Sequence, residues 1–274
     1  MLRNKKKLML GMPYYVWSII FIVVPLFMVF YYGLTDKSGA FTFDNVAAIA
    51  TYEHSKSLWL AVKLSIISTI ICFFIAYPLA MMLVKHAKGK SSVLVMLFIL
   101  PMWMNFLLRT MAWQTLLENN GVINTVLNTL GLPSLRMINT PEAIVFGMVY
   151  NFLPFMVLPL YNSLEKIDPN MINAARDLGA NAVITFFKVT LPLSVPGIIS
   201  GITMVFVPAL TTFVISTLLG GSKILLIGNV IEQEFSQTNN WHLGSGLSIV
   251  LMIFIIISMI IQNIADKDGE GSVI

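Results

Sequence analysis

Charged residues are scarce in this sequence. Only 11% of its 274 residues are charged, whereas 57% are hydrophobic and the mean hydropathy is +0.83. Water-soluble domains of this length do not have such a composition, because they need a polar surface to stay in solution. The composition therefore excludes a soluble globular domain and predicts a membrane protein.

Metal-ligating and nucleophilic side chains are also few. The single cysteine, Cys72, excludes an internal disulfide, and with only three histidines a Cys/His metal site is not expected. The histidines show neither HExxH nor Ser/His/Asp spacing. Gly89-Lys90-Ser91 matches the end of a phosphate-binding loop, but Val84 stands where its first glycine should be. We expect no catalytic residue, no metal site and no ATP binding by that motif.

Long apolar runs dominate the rest of the chain. A membrane-spanning helix needs about 20 mostly apolar residues, and the polar connections between such runs are too short for a soluble domain. Six stretches qualify, namely residues 12–34, 58–84, 92–116, 142–163, 193–219 and 246–264. We predict an all-α polytopic membrane protein that forms a single six-helix domain over residues 1–274. Gly197 and Gly201 predict close helix packing in the fifth helix.

Basic residues are distributed unevenly between the two sides of the membrane. Eleven of the 17 Lys and Arg residues lie in the amino terminus, the second-to-third loop, the 164–192 segment and the tail, and four lie on the opposite side. Basic residues favour the cytoplasmic side, so both termini and the 164–192 segment are predicted to be cytoplasmic. This bias explains the net charge of +4 without nucleic-acid binding. The first stretch lacks a small-residue cleavage site and is expected to be retained.

A short helix is predicted within the polar 164–192 segment. Asp168 followed by Pro169 favours a helix start, because the carboxylate accepts from free amides and proline fixes φ. Gly179 offers the left-handed conformation that ends a helix. An ordinary capped helix in a loop is the alternative interpretation. Two small residues suited to close backbone contact are followed by two charged ones: Ala174, Ala175, Arg176 and Asp177.

The spacing of this segment resembles the EAA loop of ATP-binding-cassette importer permeases. That pattern is Glu-Ala-Ala, three residues, Gly, nine residues, Ile, one residue and Leu-Pro. Val189 stands at the Ile position, and Asn173 replaces the Glu, the one acidic member of the motif. The matching residues are Ala174, Ala175, Gly179, Leu191 and Pro192.

Three longer blocks resemble the polyamine (spermidine/putrescine) importer permeases. They are LPFMVLPLYNSLEK, SLEKIDPNMINAARDLGA and GGSKILLIGNVIEQEF, and the resemblance extends over residues 60–262. It implies a type I importer permease fold, a bacterial plasma membrane location and transport by alternating access. It also implies that the EAA helix fits a groove on the ATPase.

The same resemblance implies which other molecules take part. The partners would be a second homologous permease, two copies of a cytoplasmic ATPase, an extracytoplasmic polyamine-binding protein and membrane lipid. ATP and Mg would be bound by the ATPase, and this chain would carry no cofactor. The residues do not distinguish spermidine from putrescine, nor do they say which subunit supplies the substrate ligands.

A polycation that crosses the membrane needs carbonyl oxygens, carboxylates or aromatic faces. Candidates for this path are Trp103 and Asn105 after the Pro101 bend, and Tyr150 and Asn151 in the fourth helix. For each, the alternative is aromatic packing or an amide bonded to a neighbouring helix.

Charged residues near the predicted outer surface are candidates for a gate. They are Arg109, Glu118 and Glu232. Arg109 could pair with an acid, including one on the partner permease, and so hold the outer mouth shut. It could equally extend to lipid headgroups, and the two acids could be solvated charges at helix ends.

A polyamine importer has three alternatives. An importer permease for another small cationic or polar solute has the same features. An ATP-independent secondary transporter is less consistent, because no acidic residue lies inside a helix core and no inverted repeat is evident. A membrane-embedded enzyme would need a cluster of nucleophiles or metal ligands. Copurification with an ATPase distinguishes an importer from both.

Overall fold

The computed structural model describes residues 12–86, 96, 98, 100–221 and 223–271. Within these residues the predicted all-α class is confirmed, since extended pairing is limited to an isolated bridge between Thr35 and Phe41. The helices of the first half are α1 Met12–Gly33, α2 Asp44–Ala47, α3 Tyr52–His86, α4 Phe106–Leu117, α5 Val122–Thr129 and α6 Pro141–Glu165. Those of the second half are α7 Pro169–Asp177, α8 Ala182–Leu193, α9 Val195–Thr211, α10 Val214–Gly220, α11 Ile227–Ser236 and α12 Trp241–Gly271.

Four helices in the described residues are long and apolar enough to cross a membrane. Their spanning parts are Met12–Gly33, Tyr52–Lys85, Pro141–Glu165 and Trp241–Gln262, which match four of the six predicted stretches. A fifth is obtained if α8 and α9, which are bent by 64° at Ser194, count as one span. The predicted number of six is compatible with this and stays a prediction, because part of the 92–116 stretch lies outside the described residues.

The described part of the 92–116 stretch is interrupted. A 3₁₀ turn covers Leu100–Trp103, and α4 begins only after Asn105. The Asn105 side-chain oxygen accepts hydrogen bonds from the amides of Leu107 (2.9 Å) and Leu108 (3.2 Å). Such a cap starts a new helix, and the proline within the turn lacks the N–H that a continuous helix needs. The interruption lies at the bend that Pro101 predicts, and it separates the 3₁₀ turn from α4.

The predicted 193–219 span is also divided. Helix α9 ends at Thr211, Thr212 is extended, and α10 begins after Phe213. The buried side chain of Asn229 stabilises this break, because its amide nitrogen donates to the Phe213 carbonyl (3.1 Å) and to the Thr217 hydroxyl (2.8 Å). The apolar run is thus two helices, and the Asn229 amide bonds the N-cap carbonyl of the second helix, which also accepts from the Thr217 amide (2.9 Å).

Contacts divide the chain into two compact units. One comprises the described residues of Met1–Ser55 and Val230–Ile255, and the other those of Lys56–Asn229 and Ile256–Ile274. In the first unit, the Asp36 carboxylate accepts hydrogen bonds from the Ser38 hydroxyl (2.7 Å) and the Ala40 amide (2.9 Å). These bonds, the Ser38 hydroxyl first, hold the pKa of Asp36 below its ordinary value. The prediction of one domain over residues 1–274 stays a prediction.

The core of the second unit lies where α6 crosses α9. A Cβ added to Gly197 would lie 2.5 Å from Ser163 Cβ and 2.8 Å from the Pro159 carbonyl oxygen. A Cβ added to Gly201 would lie 2.6 Å from Met156 Sδ. Only glycine permits so close an approach, so the small-residue spacing predicts this contact correctly.

Replacing Gly197 with Val should therefore destabilise the second unit. The added side chain meets the rigid Pro159 carbonyl, and overpacking of this kind costs about 1 to 3 kcal/mol. The measurement is the thermal unfolding midpoint of the purified protein in detergent. Ser200→Val, an exposed position on the same helix, is the control and should change the midpoint little. Equal midpoints for both variants would contradict the close α6–α9 contact.

Candidate functional site

Two groups of residues in the second unit contain most of the predicted site residues. The first is the EAA segment, residues 164–192, together with the bend that follows it at Ser194. The second is the Arg109 cluster, formed by Arg109, Asn151, Tyr150 and the Pro101 carbonyl. Both groups lie at places where a helix begins or ends.

Helix α7 has the two ends that its sequence predicts. The Asp168 carboxylate accepts from the Asn170 amide (2.9 Å), and Pro169 occupies the first turn. At the other end Leu178 is the C-cap and Gly179 has φ +87°. The Gly179 amide donates to Arg176 O (2.9 Å), and the Ala180 amide donates to Ala175 O (3.0 Å). This pair of bonds is a Schellman motif, and the predicted helix and its stop are confirmed.

The end of α5 has the same construction as the end of α7. Leu130 is its C-cap and Gly131 follows with φ +72°. The Gly131 amide donates to Asn128 O (3.1 Å), and the Leu132 amide donates to Leu127 O (2.9 Å). Both glycines have open space where a side chain would be. A Leu-Gly Schellman end is therefore not specific to the EAA segment, and α5 provides a matched reference for it.

The two sides of α7 differ in what they contact. Ile172 and Arg176, four residues apart and thus on one side, line a cavity within the second unit. Ala174 and Leu178 lie on the opposite side, where Leu178 is 90% exposed. Asn173, at the place of the motif Glu, and Asp177 are exposed as well. The α7 helix thus presents an unprotected leucine at its end.

Further apolar side chains of the EAA segment are exposed on α8. Val183 is 62% and Phe187 60% exposed. We define Leu178, Val183 and Phe187 as the EAA surface. Large exposed apolar groups are typical of protein or membrane interaction sites.

Helix α8 connects this surface to the membrane helices. Its start is capped by the side chain of Asn181, which accepts from the Ile184 amide (2.9 Å). A π-helical turn follows at Phe186–Thr190, and the motif residues Leu191 and Pro192 come directly after it. Leu191 and Pro192 therefore stand one turn before the 64° bend into α9.

The bend is attached to helix α3 by a contact that sequence reasoning missed. The Tyr77 hydroxyl is hydrogen-bonded to Ser194 Oγ at 2.7 Å, and both residues are buried. The Tyr77 ring also meets Phe186 edge to face, with 5.6 Å between the ring centroids. A buried tyrosine hydroxyl needs a partner, which could have drawn attention to Tyr77, but nothing in the sequence identified Ser194 as that partner.

Arg109 is the centre of the second group. It is only 7% exposed, and its Nε donates to Asn151 Oδ1 at 2.8 Å. Its Nη1 donates to the Pro101 carbonyl oxygen at 2.7 Å, and its Cζ lies 5.6 Å from the centroid of the Tyr150 ring. The amide nitrogen of Asn151 donates to Gly147 O at 2.8 Å. The partners described for this buried cation are thus an amide, a carbonyl and an aromatic face, and none is a carboxylate.

The predicted path and gate residues do not form one site. The structure brings Tyr150 and Asn151 together with Arg109, a contact that the sequence did not predict. Trp103 is 74% exposed and Asn105 caps α4, so neither belongs to the Arg109 cluster. Glu118 is the exposed C-cap of α4.

Glu232 lies in the other unit, in α11. Its carboxylate accepts from the Ser236 hydroxyl at 2.7 Å. Among the described residues, no group of three or more His, Cys, Asp or Glu side chains is placed to hold a metal ion. The roles of these residues and of the path residues stay predictions.

The chain matches one protein family and several curated relatives. Residues 57–268 match the family described as binding-protein-dependent transport system inner membrane component. The chain is 38% identical over 259 residues to the spermidine/putrescine transport system permease protein PotB of Haemophilus influenzae, covering 92% of this chain and 91% of the relative. It is 37% identical over 245 residues to the protein of that name from Escherichia coli, covering 86% and 89%.

Solved structures agree on the fold. A bacterial ABC transporter involved in the import of the acidic polysaccharide alginate has a chain with a TM-score of 0.80 at 19% identity, covering 97% of this chain and 96% of that one. A bacterial alginate ABC transporter in complex with an alginate pentasaccharide-bound periplasmic protein gives 0.78 at 18% identity, covering 95% and 93%. At this identity the likeness concerns the fold, which is that of an ABC importer permease.

The contact between Arg109 and Asn151 can be measured by a double-mutant cycle. Arg109→Met removes the donor of Asn151 Oδ1, and Asn151→Leu removes the acceptor of Arg109 Nε. Because a buried hydrogen bond to a charged group is worth about 1.5 to 3 kcal/mol, each single change should lower the free energy of unfolding by about that amount. The double variant should lose less than the two losses added together.

The measurement is a denaturant titration of the purified protein in mixed micelles. Lys63→Gln is the control, since it removes an exposed cation, and it should change the free energy of unfolding by less than about 0.5 kcal/mol. Additive losses at Arg109 and Asn151 would contradict a direct bond between them.

Proposed function

Because the chain belongs to the family of binding-protein-dependent transport system inner membrane components, we propose that it is the permease subunit of an ATP-driven polyamine importer. As a member of this family it is a multi-pass, non-catalytic membrane component of an ABC transporter. The substrate class is carried by one observation, the similarity to spermidine/putrescine permeases over 86 to 92% of this chain. An importer of another small cationic or polar solute is the alternative that the experiments below address.

The proposed complex contains a second, homologous permease, two copies of a cytoplasmic ATPase and an extracytoplasmic binding protein. ATP and Mg are bound by the ATPase chains, and this chain holds no cofactor. The chain lies in a bacterial plasma membrane with both termini in the cytoplasm, an orientation supported by the excess of basic residues in the segments assigned to that side.

The EAA segment is the proposed contact with the ATPase. Residues Asn173 to Asp177 form the body of α7, and Gly179 ends the helix. Leu178, the C-cap residue, projects from this end. The exposure of Leu178, Val183 and Phe187 supports a protein partner at this surface, because large apolar side chains on a cytoplasmic segment favour burial in a groove. Asn173 cannot supply the charge of the motif Glu, so apolar contact carries more of the docking here.

Movement of α7 is proposed to reach the membrane helices through α8. ATP binding closes the ATPase dimer and carries α7 with it. The support for this route is the continuous attachment of α8 to the bend at Ser194, which the Tyr77 hydroxyl fixes to α3. Displacement of α7 therefore shifts the 64° bend and reorients α9, which opens the path toward the binding protein.

Trp103, Asn105, Tyr150 and Asn151 are the proposed substrate path. An ammonium group can be stabilised by the Tyr150 face and the Asn151 amide oxygen, and cation–π contact contributes about 0.5 to 2 kcal/mol. The Arg109 cation now engages both of these groups. We therefore propose that the path is closed in this arrangement, because a fixed guanidinium repels an approaching polycation.

Arg109, Glu118 and Glu232 are the proposed outer gate. The burial of Arg109 and its bonds to Asn151 and the Pro101 carbonyl support a residue held in a defined position. An acid of the second permease is the proposed further partner of Arg109 on the closed side. Glu118 and Glu232 attract the cationic substrate toward the outer surface.

Two substitutions at the end of α7 should uncouple ATP hydrolysis from transport. Leu178→Glu places a charge on the EAA surface, and Gly179→Asp places a side chain where φ is +87°. Both should abolish uptake and release the ATPase from the membrane complex, since a buried charge at an interface costs several kcal/mol. The measurements are uptake in cells and copurification of the ATPase.

The end of α5 supplies controls with the same local backbone. Leu130→Glu and Gly131→Asp repeat the changes at a second Leu-Gly Schellman end, where Leu130 is also exposed and φ of Gly131 is +72°. They should retain the ATPase and most of the uptake. Equal losses at both helix ends would mean that the effect comes from backbone strain, and the docking role would be rejected.

The substrate class is tested by uptake in cells that lack their own polyamine importer. The chain is expressed with its neighbouring genes, and labelled spermidine and putrescine are supplied. Saturable uptake that is lost in Gly179→Asp is expected. An assembled, ATP-hydrolysing complex without polyamine uptake would reject the substrate and retain the importer.

Arg109→Gln in the same cells tests the proposed gate. If transport and ATPase coupling are both unchanged in this variant, the gate is contradicted.

A further inference from the structure

An apolar cavity lies in the second unit between the carboxyl end of α3, the end of α6 and the EAA segment. Its volume is about 560 Å³, within the range of about 300 to 1,000 Å³ that accommodates small organic ligands. Helix α3 contributes Met81 and Lys85, α7 contributes Ile172 and Arg176, and α8 contributes Phe186 among others. The cavity therefore connects a spanning helix to the EAA segment.

The charged side chains described for the cavity wall are both basic. Lys85 and Arg176 line it, and no Asp or Glu is among the described residues that do. The hydroxyls of Thr185 and Thr190 are the other polar side chains of the wall. A ligand that fits must combine an anionic group with a large apolar part, because two cations and a mostly apolar surface recognise those features together.

The cavity lies at the end of an apolar helix. Lys85 is the last residue of the apolar part of α3, Tyr52–Lys85, so the cationic rim lies at the end of that helix which the basic residues assign to the cytoplasmic side. Basic pockets between transmembrane helices at the cytoplasmic surface bind anionic lipid headgroups. From the volume, the charge and this position, we propose that the cavity binds one anionic phospholipid.

Each part of the lipid has a partner in the cavity. The phosphate is bound between Lys85 and Arg176, and an acyl chain lies against Met81, Ile172 and Phe186. The site is separate from the EAA surface, because Ile172 and Arg176 occupy the opposite side of α7 from Leu178. The lipid joins α3 to α7 and α8, and the ATPase side of α7 stays open.

The test uses the whole complex in nanodiscs of phosphatidylcholine that contain a trace of phosphatidylglycerol with a photoreactive acyl chain. After illumination, mass spectrometry identifies the labelled peptides of this chain. We expect labelling of the peptides that contain Met81 and Phe186. Lys85→Gln should lower the labelling about fivefold, which is the effect of one basic residue near an anionic surface. Ala182→Trp, which fills the cavity, should lower it as well.

Lys63→Gln is the matched control, because Lys63 is also an exposed lysine of α3 and lies 22 residues, or about 33 Å, from Lys85. It should leave the labelling unchanged. A phosphatidylcholine probe that labels the same peptides equally, or labelling that is insensitive to Lys85→Gln, would show only surrounding lipid and overturn the proposal. The labelling needs no transport, so its failure is distinguishable from a wrong substrate.

Discussion

Backbone carbonyls at helix breaks are the main constraint on this structure. In an apolar environment an unsatisfied carbonyl is costly, so a break is stable only where another group donates to it. Arg109 donates to the carbonyl of Pro101, and Asn229 donates to that of Phe213. At the third break Ser194 donates to Leu191 O at 2.9 Å. A polar side chain therefore donates to a backbone carbonyl at each of the three breaks, from 8, 16 and 3 positions away in the sequence.

The Arg109 side chain links the backbone before α4 to side chains of α6. The guanidinium donates to the Pro101 carbonyl, and it also engages the amide and the ring that we propose for a cationic substrate. A rearrangement that frees Asn151 would therefore move a side chain that is also bonded to the backbone at Pro101. Helices α4 and α6 are also joined by the ring of Trp113, which packs edge to face on Tyr150 with 5.2 Å between the ring centroids.

The sequence predicts those features that depend on neighbouring residues. The caps of α7 at Asp168 and Gly179 are local, as are the four apolar spans, and the close approach at Gly197 follows from spacing alone. The bonds of Arg109 to Asn151, of Tyr77 to Ser194 and of Asn229 to Phe213 join residues that are 42, 117 and 16 positions apart. Hydropathy cannot reveal such pairs, because apolar runs read the same whether the helix is straight or broken.

The π-helical turn at Phe186–Thr190 determines the direction in which α9 leaves the EAA segment. A π turn holds one more residue than the bonding of an α-helix allows, and each residue of a helix advances its side chain by about 100°. Removing one residue from α8 would restore regular winding but rotate Leu191, Pro192 and the following bend by that angle. The direction of the α9 axis thus depends on the number of residues between Asn181 and Ser194.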